Sequence, residues 1–77
     1  MEEYDAFWVK WCENAFSYHK PKEGQPEKYE AIRNKAKELG LIISMDCPDS
    51  DEKGQALKAL REVVMWANAS IACNEDA

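Results

Sequence analysis

Apolar side chains recur at three- and four-residue spacing along three stretches of the chain, and polar residues fill the positions between them. The first stretch, EEYDAFWVKWCENAF at 2–16, repeats aromatic and small apolar residues at this spacing. Such periodicity places the apolar side chains on one face of an α-helix. Glu2, Glu3 and Asp5 lie in the first turn, where negative charge suits the helix dipole. We therefore predict an amphipathic N-terminal helix over 2–16.

A second, longer helix is predicted over 26–46, after a loop at 17–25 that contains a proline and a glycine. Pro26 suits the first helical position, where its missing N–H needs no partner. The apolar seam of this helix follows a 3-4-3-4 spacing and consists of Tyr29, Ile32, Ala36, Leu39 and Ile43. Gly40 lowers helix propensity, and close approach of a neighbouring backbone or a ligand would explain its presence.

The third predicted helix spans 49–74 and follows a second break in the pattern. At this break Asp49 and Glu52 have the spacing of a capping box, and Ser50 is the rival cap. The helix has its own seam at the same spacing, formed by Leu57, Leu60, Val64, Ala67 and Ile71. Two such helices joined by a short turn favour an antiparallel hairpin. We therefore predict an all-α fold, one domain over 1–77, in which a short N-terminal helix precedes a long antiparallel helical hairpin.

The third helix has more apolar surface than the second helix can cover. At about 100° per residue, Trp66 lies well away from the seam, and Met65 and Asn68 lie on the seam's other side. The N-terminal helix, another subunit or a ligand remains to cover this surface. Because extended apolar patches are rarely left exposed on monomers, we favour a homo-oligomer. Its expected interface includes Val63, Met65, Trp66 and Ser70.

Composition disfavours several classes of function. The net charge is −5 and the pI about 4.8, which argues against binding to duplex nucleic acid, because such binding depends on lysine and arginine neutralising phosphates. A small anionic ligand responds to the local field and is not excluded. The apolar runs are too short to span a membrane. Met1 is followed by acidic residues and not by the basic segment of a secretory signal.

The cysteines indicate neither a metal site nor a catalytic site. Cys12, Cys47 and Cys73 are odd in number and far apart, and with His19 they show none of the usual zinc spacings. We expect three reduced, mostly buried thiols, as in cytosolic proteins, with no metal and no cofactor. Cys12 and His19 resemble a nucleophile and its base, but no third group is placed to orient them. We therefore expect no enzymatic activity.

The loop at 17–25 and the residues that follow it form a candidate anion site. They combine an aromatic ring, an imidazole and several ammonium groups, in Tyr18, His19, Lys20, Lys22 and Lys28. A ring stacks on a base, and ammonium groups beside a helix N-terminus bind phosphate. An ordinary solvated basic loop is the plainer alternative. Arg33 and Lys37 share a helix face, where they either bind phosphate or balance neighbouring glutamates.

Four blocks of sequence, in this order and spacing, resemble a known family. They are F-x-Y-H-x-P (16–21), Q-P-x-K-Y-x-x-I-R-x-x-A-K-x-L (25–39), C-P-D-S-x-x-K (47–53) and M-W-A-N-A-x-I-A-x-N (65–74). Together they look like the small phage anti-CBASS proteins that act as cyclic-oligonucleotide sponges, whose helical hairpin recurs in phage Thoeris anti-defence sponges. Each block alone is weak, but their order makes the match specific.

The resemblance implies a homohexamer of helical hairpins in the host bacterial cytoplasm. It would bind cyclic dinucleotides such as cyclic GMP–AMP (cGAMP) in pockets between subunits without cleaving them, and so block CBASS immune signalling. It implies that Tyr18 stacks on a base and Lys28 binds phosphate, with His19 and Arg33 beside them.

Some members of the family also bind cyclic trinucleotides at separate sites. For such a site Asn68 and Asn74 are the candidates here. Cys73 stands where the family often has an arginine, so weaker trinucleotide binding is expected if that arginine contacts the ligand. Residues 1–15 lie outside the four blocks and leave room for a changed lid or ligand choice.

Two rival functions remain open. One is an acidic helical adaptor that binds and inhibits a host protein through Trp66 and its neighbours. The other is a hydrolase of the same nucleotide, although the sequence lacks the metal site or base that hydrolysis needs. An adaptor would ignore nucleotides, a hydrolase would convert them, and a sponge would release them unchanged.

Overall fold

The computed structural model describes residues 6–75, which form three α-helices. The helices are α1 (Ala6–Ala15), α2 (Gln25–Asp46) and α3 (Asp51–Asn74). No strand occurs in this part of the chain, so the all-α prediction is confirmed. The predicted start of the first helix, with its acidic first turn, lies outside the described residues. That the chain is a single domain stays a prediction.

The two long helices pack on one another and are joined by a four-residue turn at 47–50. At one end of the pair, the Gln25 side-chain amide nitrogen lies 3.4 Å from the carbonyl oxygen of Ile71. At the other end, Lys53 Nζ donates to the carbonyl oxygen of Ser44 at 2.7 Å. The start of α2 therefore lies beside the end of α3, and the reverse. This is the order of contacts that an antiparallel pair requires.

The apolar seam between α2 and α3 is only half-buried. Nearly all of its predicted residues fall in the intermediate range of exposure, whereas Leu39 remains 47% exposed. Among residues 6–75 no hydrophobic side chain is fully buried, and Gln25, at 2% exposure, is the only buried residue. Each helix can be shielded by the other from one side only, so the remaining apolar side chains face outward.

The arrangement of the three helices is elongated. Its principal dimensions are 54 × 35 × 14 Å and its Cα radius of gyration is 17.0 Å, against about 11–12 Å for a compact domain of this length. It exposes 6813 Å², whereas a compact monomer of the same mass exposes about 4,800 Å². The chain therefore has surface to spare for association.

Gly40 does not mark a tight approach of backbone within the described chain. A methyl group placed on it would lie 3.6 Å from Leu60 Cδ2, which is ordinary van der Waals contact with a side chain. The expected close approach is therefore absent from the hairpin itself. Gly24 is different, because its φ of 84° is left-handed and favours glycine. Gly24 is the N-cap of α2. The helix begins at Gln25, one residue earlier than predicted, so Pro26 is its second residue.

Ser50, and not Asp49, caps α3. The Ser50 hydroxyl oxygen accepts the Lys53 backbone N–H at 3.1 Å, and the helix begins at Asp51. Asp49 instead pairs with the Lys53 ammonium group at 2.9 Å. The predicted Asp49–Glu52 capping box is wrong because the chain is still extended at Ser50, which places its hydroxyl three residues before a free N–H.

The thiols are more accessible than expected. Cys12 and Cys47 are exposed, and Cys73 is half-buried. The expectation of mostly buried thiols is wrong, because a two-helix pair offers few enclosed positions. No helix in the described part of the chain combines the length and apolar character that a membrane crossing requires.

The cap assignment gives the first prediction. Ser50→Ala should lower the free energy of unfolding by about 1 kcal/mol, the usual cost of losing an N-cap. Ser50→Asp should keep most of the stability. Asp49→Ala should cost less than Ser50→Ala, because an exposed ion pair contributes little. Denaturant unfolding at one fixed protein concentration, followed by circular dichroism, measures all three. A larger loss for Asp49→Ala would return the cap to Asp49.

Candidate functional site

Three side chains from the start of α2 and the loop before it converge on Glu75, just beyond α3. Lys28 Nζ pairs with Glu75 Oε2, and Gln25 Nε2 donates to Glu75 Oε1 at 3.1 Å. Lys22 Nζ donates to the Glu75 backbone carbonyl at 2.7 Å. We call Lys22, Gln25 and Lys28 the anion cluster. Its donors come from seven consecutive residues, so one helix start positions them all.

Gln25 is the fixed point of the anion cluster. Its side-chain oxygen accepts the Lys22 backbone N–H at 2.8 Å, and its own backbone N–H donates to the Lys22 carbonyl at 3.0 Å. Because the side-chain oxygen faces an N–H, the amide nitrogen must face Glu75 and the Ile71 carbonyl. The only buried side chain among the described residues is thus an oriented hydrogen-bond donor.

The cluster favours negative charge. The hydrogen bond from Lys28, then that from Gln25, holds the pKa of the Glu75 carboxyl below its usual value of 4.5, with further attraction from the Lys28 and Lys22 charges. A carboxylate that accepts charged and neutral donors is stabilised in its ionised form. The open end of the hairpin therefore binds an anionic oxygen despite the net charge of −5.

Tyr18 and His19 lie in the loop that leads to this cluster. The Tyr18 ring is 85% exposed and so presents its faces to solvent. His19 is half-buried, and its Nε2 lies 2.6 Å from the Asn14 carbonyl oxygen. Since a carbonyl only accepts, Nε2 carries the proton and donates. His19 therefore faces α1 through this nitrogen, while Tyr18 is free to stack.

Arg33 lines a groove together with Asn68. It is not part of the anion cluster around Glu75. An open groove of about 420 Å³ is lined by Tyr29, Arg33, Asn68, Ala69 and Ala72. Asn68 Oδ1 is buried there without a hydrogen-bond partner among the described residues. Such a group is costly unless something outside the chain donates to it. The groove thus carries a guanidinium group, while the unsatisfied Asn68 oxygen is shielded from solvent in the single chain.

Asn74 belongs to a second groove, between α1 and the end of α3. This groove, of about 440 Å³, is lined by Trp11, Asn14, Ala15, Trp66, Ala69, Ser70, Cys73 and Asn74. Asn14 Nδ2 donates to the Cys73 carbonyl at 2.7 Å and so ties α1 to α3. Asn74 Nδ2 donates to the Ser70 carbonyl at 3.1 Å. The two asparagines assigned together from the sequence therefore line different grooves.

The predicted oligomer surface is exposed in the single chain. Trp66 is 69% exposed, and Met65 and Val63 are exposed to a similar degree. Trp66 Nε1 donates to Glu62 on the same helix at 3.2 Å. Trp11 and Trp66 both line the second groove, yet Trp66 remains largely exposed beside α1.

This helical arrangement can be compared with known families. Residues 12–72, most of the chain, match the family model of the Acb2/Tad1 hairpin domain. The chain belongs to this family. The resemblance to the anti-CBASS and Thoeris anti-defence sponges is thereby confirmed. Comparisons with curated proteins and with solved structures gave no significant match.

The Acb2/Tad1 hairpin domain begins inside α1, so most of the first helix precedes it. Three aromatic rings before the matched residues and a fourth within them make edge-to-face contacts: Phe7 to Trp8 at 5.0 Å, Trp8 to Trp11 at 5.6 Å and Trp11 to Phe16 at 5.8 Å between centroids. Such pairs stabilise an aromatic cluster beyond the area that they bury. The cluster forms an exposed apolar surface at the start of the family domain.

The chemistry available to the hairpin domain is binding by donors and rings. Residues 6–75 contain no group of histidine, cysteine and acidic residues arranged to hold a metal ion. The family is one of ligand-sequestering sponge domains. The absence of catalysis, like the roles of individual residues, remains a proposal.

Sequence reasoning identified Lys22 and Lys28 but missed Gln25 and Glu75. Glu75 lies 47 residues after Lys28, and the four-residue turn would have been the only guide to that pairing. The position of Gln25 would have been easier to find from the sequence. It directly precedes Pro26 at the predicted start of the second helix, and in an antiparallel hairpin this point lies beside the end of the third helix. Its burial depends on contacts with the loop before α2 and with the end of α3, and local sequence does not reveal these contacts.

The position of Glu75 gives the second prediction. In a carbon-13 titration of the carboxyl groups, Glu75 should titrate below 4.5. Because its pKa is lower in the folded chain, its contact contributes stability above its unfolded pKa, and this contribution is lost as the pH falls through the lowered value. Lys28→Gln should move the pKa upward, towards the usual value.

Lys35→Gln is the matched control for this titration. Lys35 pairs with Glu38 on the exposed face of α2, so its loss removes the same charge without touching Glu75. An unchanged Glu75 pKa in Lys28→Gln would contradict the ion pair.

Proposed function

We propose that the protein is a phage anti-defence sponge, a homohexamer in the host bacterial cytoplasm that sequesters cyclic dinucleotides such as cGAMP without cleaving them. Removal of the messenger leaves the host effector inactive and blocks CBASS immune signalling. The observation that carries this proposal is the match of residues 12–72 to the Acb2/Tad1 hairpin domain. No cofactor takes part.

The anion cluster supports a phosphate role for Lys28. Its ammonium group already pairs with a carboxylate oxygen, and a phosphate oxygen accepts the same charge-assisted hydrogen bond. Tyr18 precedes the cluster with a largely exposed ring, as base stacking requires. His19 would steady the loop through its bond to Asn14, so that it acts on Tyr18 more than on the ligand.

Arg33 and Asn68 together support a second contact region. The guanidinium group suits a phosphate. The Asn68 oxygen is shielded in the single chain and would accept the amino group of a base after its side chain turns towards the groove. A cyclic trinucleotide in this groove would then supply the donor that the Asn68 oxygen lacks within the described chain. Asn74, in the other groove, would reach such a ligand only through a neighbouring subunit.

The excess surface supports assembly. The chain exposes about 2,000 Å² more than a compact monomer of its mass, which is the size of surface that stable subunits bury. The third helix supplies the exposed Val63, Met65 and Trp66, with Ser70 small enough for close helix packing. Assembly would also bring ligand groups from several chains together, as a shared pocket requires.

Ligand recovery gives the third prediction. After incubation with a panel of cyclic di- and trinucleotides, the protein should retain at least one of them, and heating should release it unchanged. Chromatography of the free and released fractions measures this. Linear product would establish a hydrolase. Free nucleotide throughout would favour the protein-binding adaptor, for which the exposed Trp66 is the natural contact.

Variants make the same measurement residue-specific. Lys28→Ala should weaken binding about 10–100-fold, as expected for loss of a charge-assisted hydrogen bond. Tyr18→Ala should weaken it about tenfold or more, whereas Tyr18→Phe should keep the stacking. Lys35→Ala is the control, because it removes an equal charge from the exposed face of α2. Equal losses in Lys28→Ala and Lys35→Ala would remove Lys28 from the pocket.

The assembly gives the fourth prediction. Light scattering after gel filtration should give a mass that is a multiple of 8.8 kDa, six-fold for the proposed hexamer. Trp66→Glu should raise the concentration at which the assembly dissociates by about tenfold or more, because it puts a charge into an apolar contact. Gln55→Glu adds the same charge at an exposed polar position of α3 and should have little effect. A monomer of the natural chain would overturn both the hexamer and the shared pockets.

A further inference from the structure

The Glu75 carboxylate is held in the way that a bound anion is held. One of its oxygens pairs with Lys28, and the other accepts from the buried Gln25 at 3.1 Å. Lys22 holds the backbone carbonyl of the same residue at 2.7 Å. All three donors lie in 22–28, and their acceptors lie in one residue at the other end of the hairpin. Glu75 therefore occupies a prepared anion site.

The Gln25 part of the site does not depend on Glu75 for its position. Gln25 is fixed by hydrogen bonds to the Lys22 backbone in both directions, at 2.8 and 3.0 Å. Its amide nitrogen also faces the Ile71 carbonyl, at 3.4 Å. When Glu75 leaves, the oriented Gln25 amide nitrogen and the ammonium groups of Lys22 and Lys28 lose their acceptors together. Such a group of donors favours the return of an anion over water.

Glu75, by contrast, is weakly attached by everything except the cluster. It lies beyond the last residue of α3 in extended backbone, with one backbone hydrogen bond to Ile71 at 3.3 Å. A negative charge at the carboxyl end of a helix is opposed by the helix dipole. Its side chain is one-third exposed. The cluster is thus the main reason for the position of this carboxylate.

We propose that the Glu75 carboxylate is a built-in competitor for the phosphate of the ligand, and that Lys22 and Gln25 join Lys28 in binding that phosphate when Glu75 is displaced. The inference rests on the proposed function in taking the anion to be a phosphodiester. A phosphodiester and a carboxylate both carry one negative charge and offer two acceptor oxygens. Exchange therefore keeps the donors satisfied, whereas simultaneous occupancy would place two like charges on the same donors.

The competition weakens the apparent affinity, because the apparent Kd equals the intrinsic Kd divided by the fraction of chains in which Glu75 has left the site. Glu75→Gln removes the competing charge and should tighten the binding of the retained cyclic dinucleotide about tenfold, as should Glu75→Ala. Glu52→Gln, at the opposite end of the hairpin, removes an equal charge and should leave affinity unchanged. Isothermal titration calorimetry measures all four proteins, and circular dichroism melts verify that each one folds.

A second readout follows the displaced group itself. Carbon-13 titration of the natural chain should show the Glu75 pKa returning to its usual range when the cyclic dinucleotide is bound. The same shift should occur with inorganic phosphate alone at millimolar concentration, which tests the anion site without any nucleotide.

The outcomes separate this inference from the proposed function. Nucleotide binding that is equal or weaker in Glu75→Gln, with the Glu75 pKa still lowered in the complex, would overturn the competition and leave the sponge intact. Release of Glu75 by phosphate without binding of any cyclic nucleotide would support the exchange and overturn the sponge. If neither ligand disturbs Glu75, the exchange is overturned.

Discussion

A pair of helices can bury only the seam along which they touch, and the rest of this structure depends on that limit. The seam of α2 and α3 stays half-buried, and no hydrophobic side chain within 6–75 is withdrawn fully from solvent. Hydrophobic burial scales with the area removed from water, so a single hairpin gains little from it. The apolar surface that remains on α1 and α3 is the physical reason to expect other copies of the chain. Pockets between copies would then be a consequence of stability and not an addition to it.

Because the seam is weak, polar contacts at its two ends hold the helices in register. Neither α2 nor α3 has a basic residue in its own last turn, where a cation would suit the helix dipole. The cation comes from across the hairpin in both cases: Lys53 binds the Ser44 carbonyl near the end of α2, and Lys22 binds the Glu75 carbonyl just beyond α3. Lys53 is only 15% exposed, so its contact is better shielded than a typical surface ion pair. The end beyond α3 has in addition the buried Gln25, which directs a second side-chain donor at the Glu75 carboxylate.

The sequence predicted what depends on local pattern and missed what depends on distance. Helical periodicity identified three helices, and the order of four sequence blocks identified the family. The cap of α3 was left between Asp49 and Ser50 because both residues have capping side chains, and the backbone conformation decides for Ser50. Burial of the thiols was overestimated because cysteine usually lies in a core, and this hairpin has none within its described residues. Gln25 and Glu75 meet only when the hairpin closes, so no local spacing could pair them.

An acidic chain can still present donors for an anion, because the nearest charges matter more than the total. Fifteen acidic and ten basic residues give the net charge, but Lys22 and Lys28 lie three residues before and three residues after the buried Gln25. The field that a small ligand meets is set by these near groups, since salt screens charges beyond about 8–10 Å. A net negative charge would meanwhile repel nucleic-acid polymers, whose binding sums many phosphates. Local donors on an acidic hairpin would thus favour a small phosphate ligand over DNA and RNA, as the proposed sponge requires.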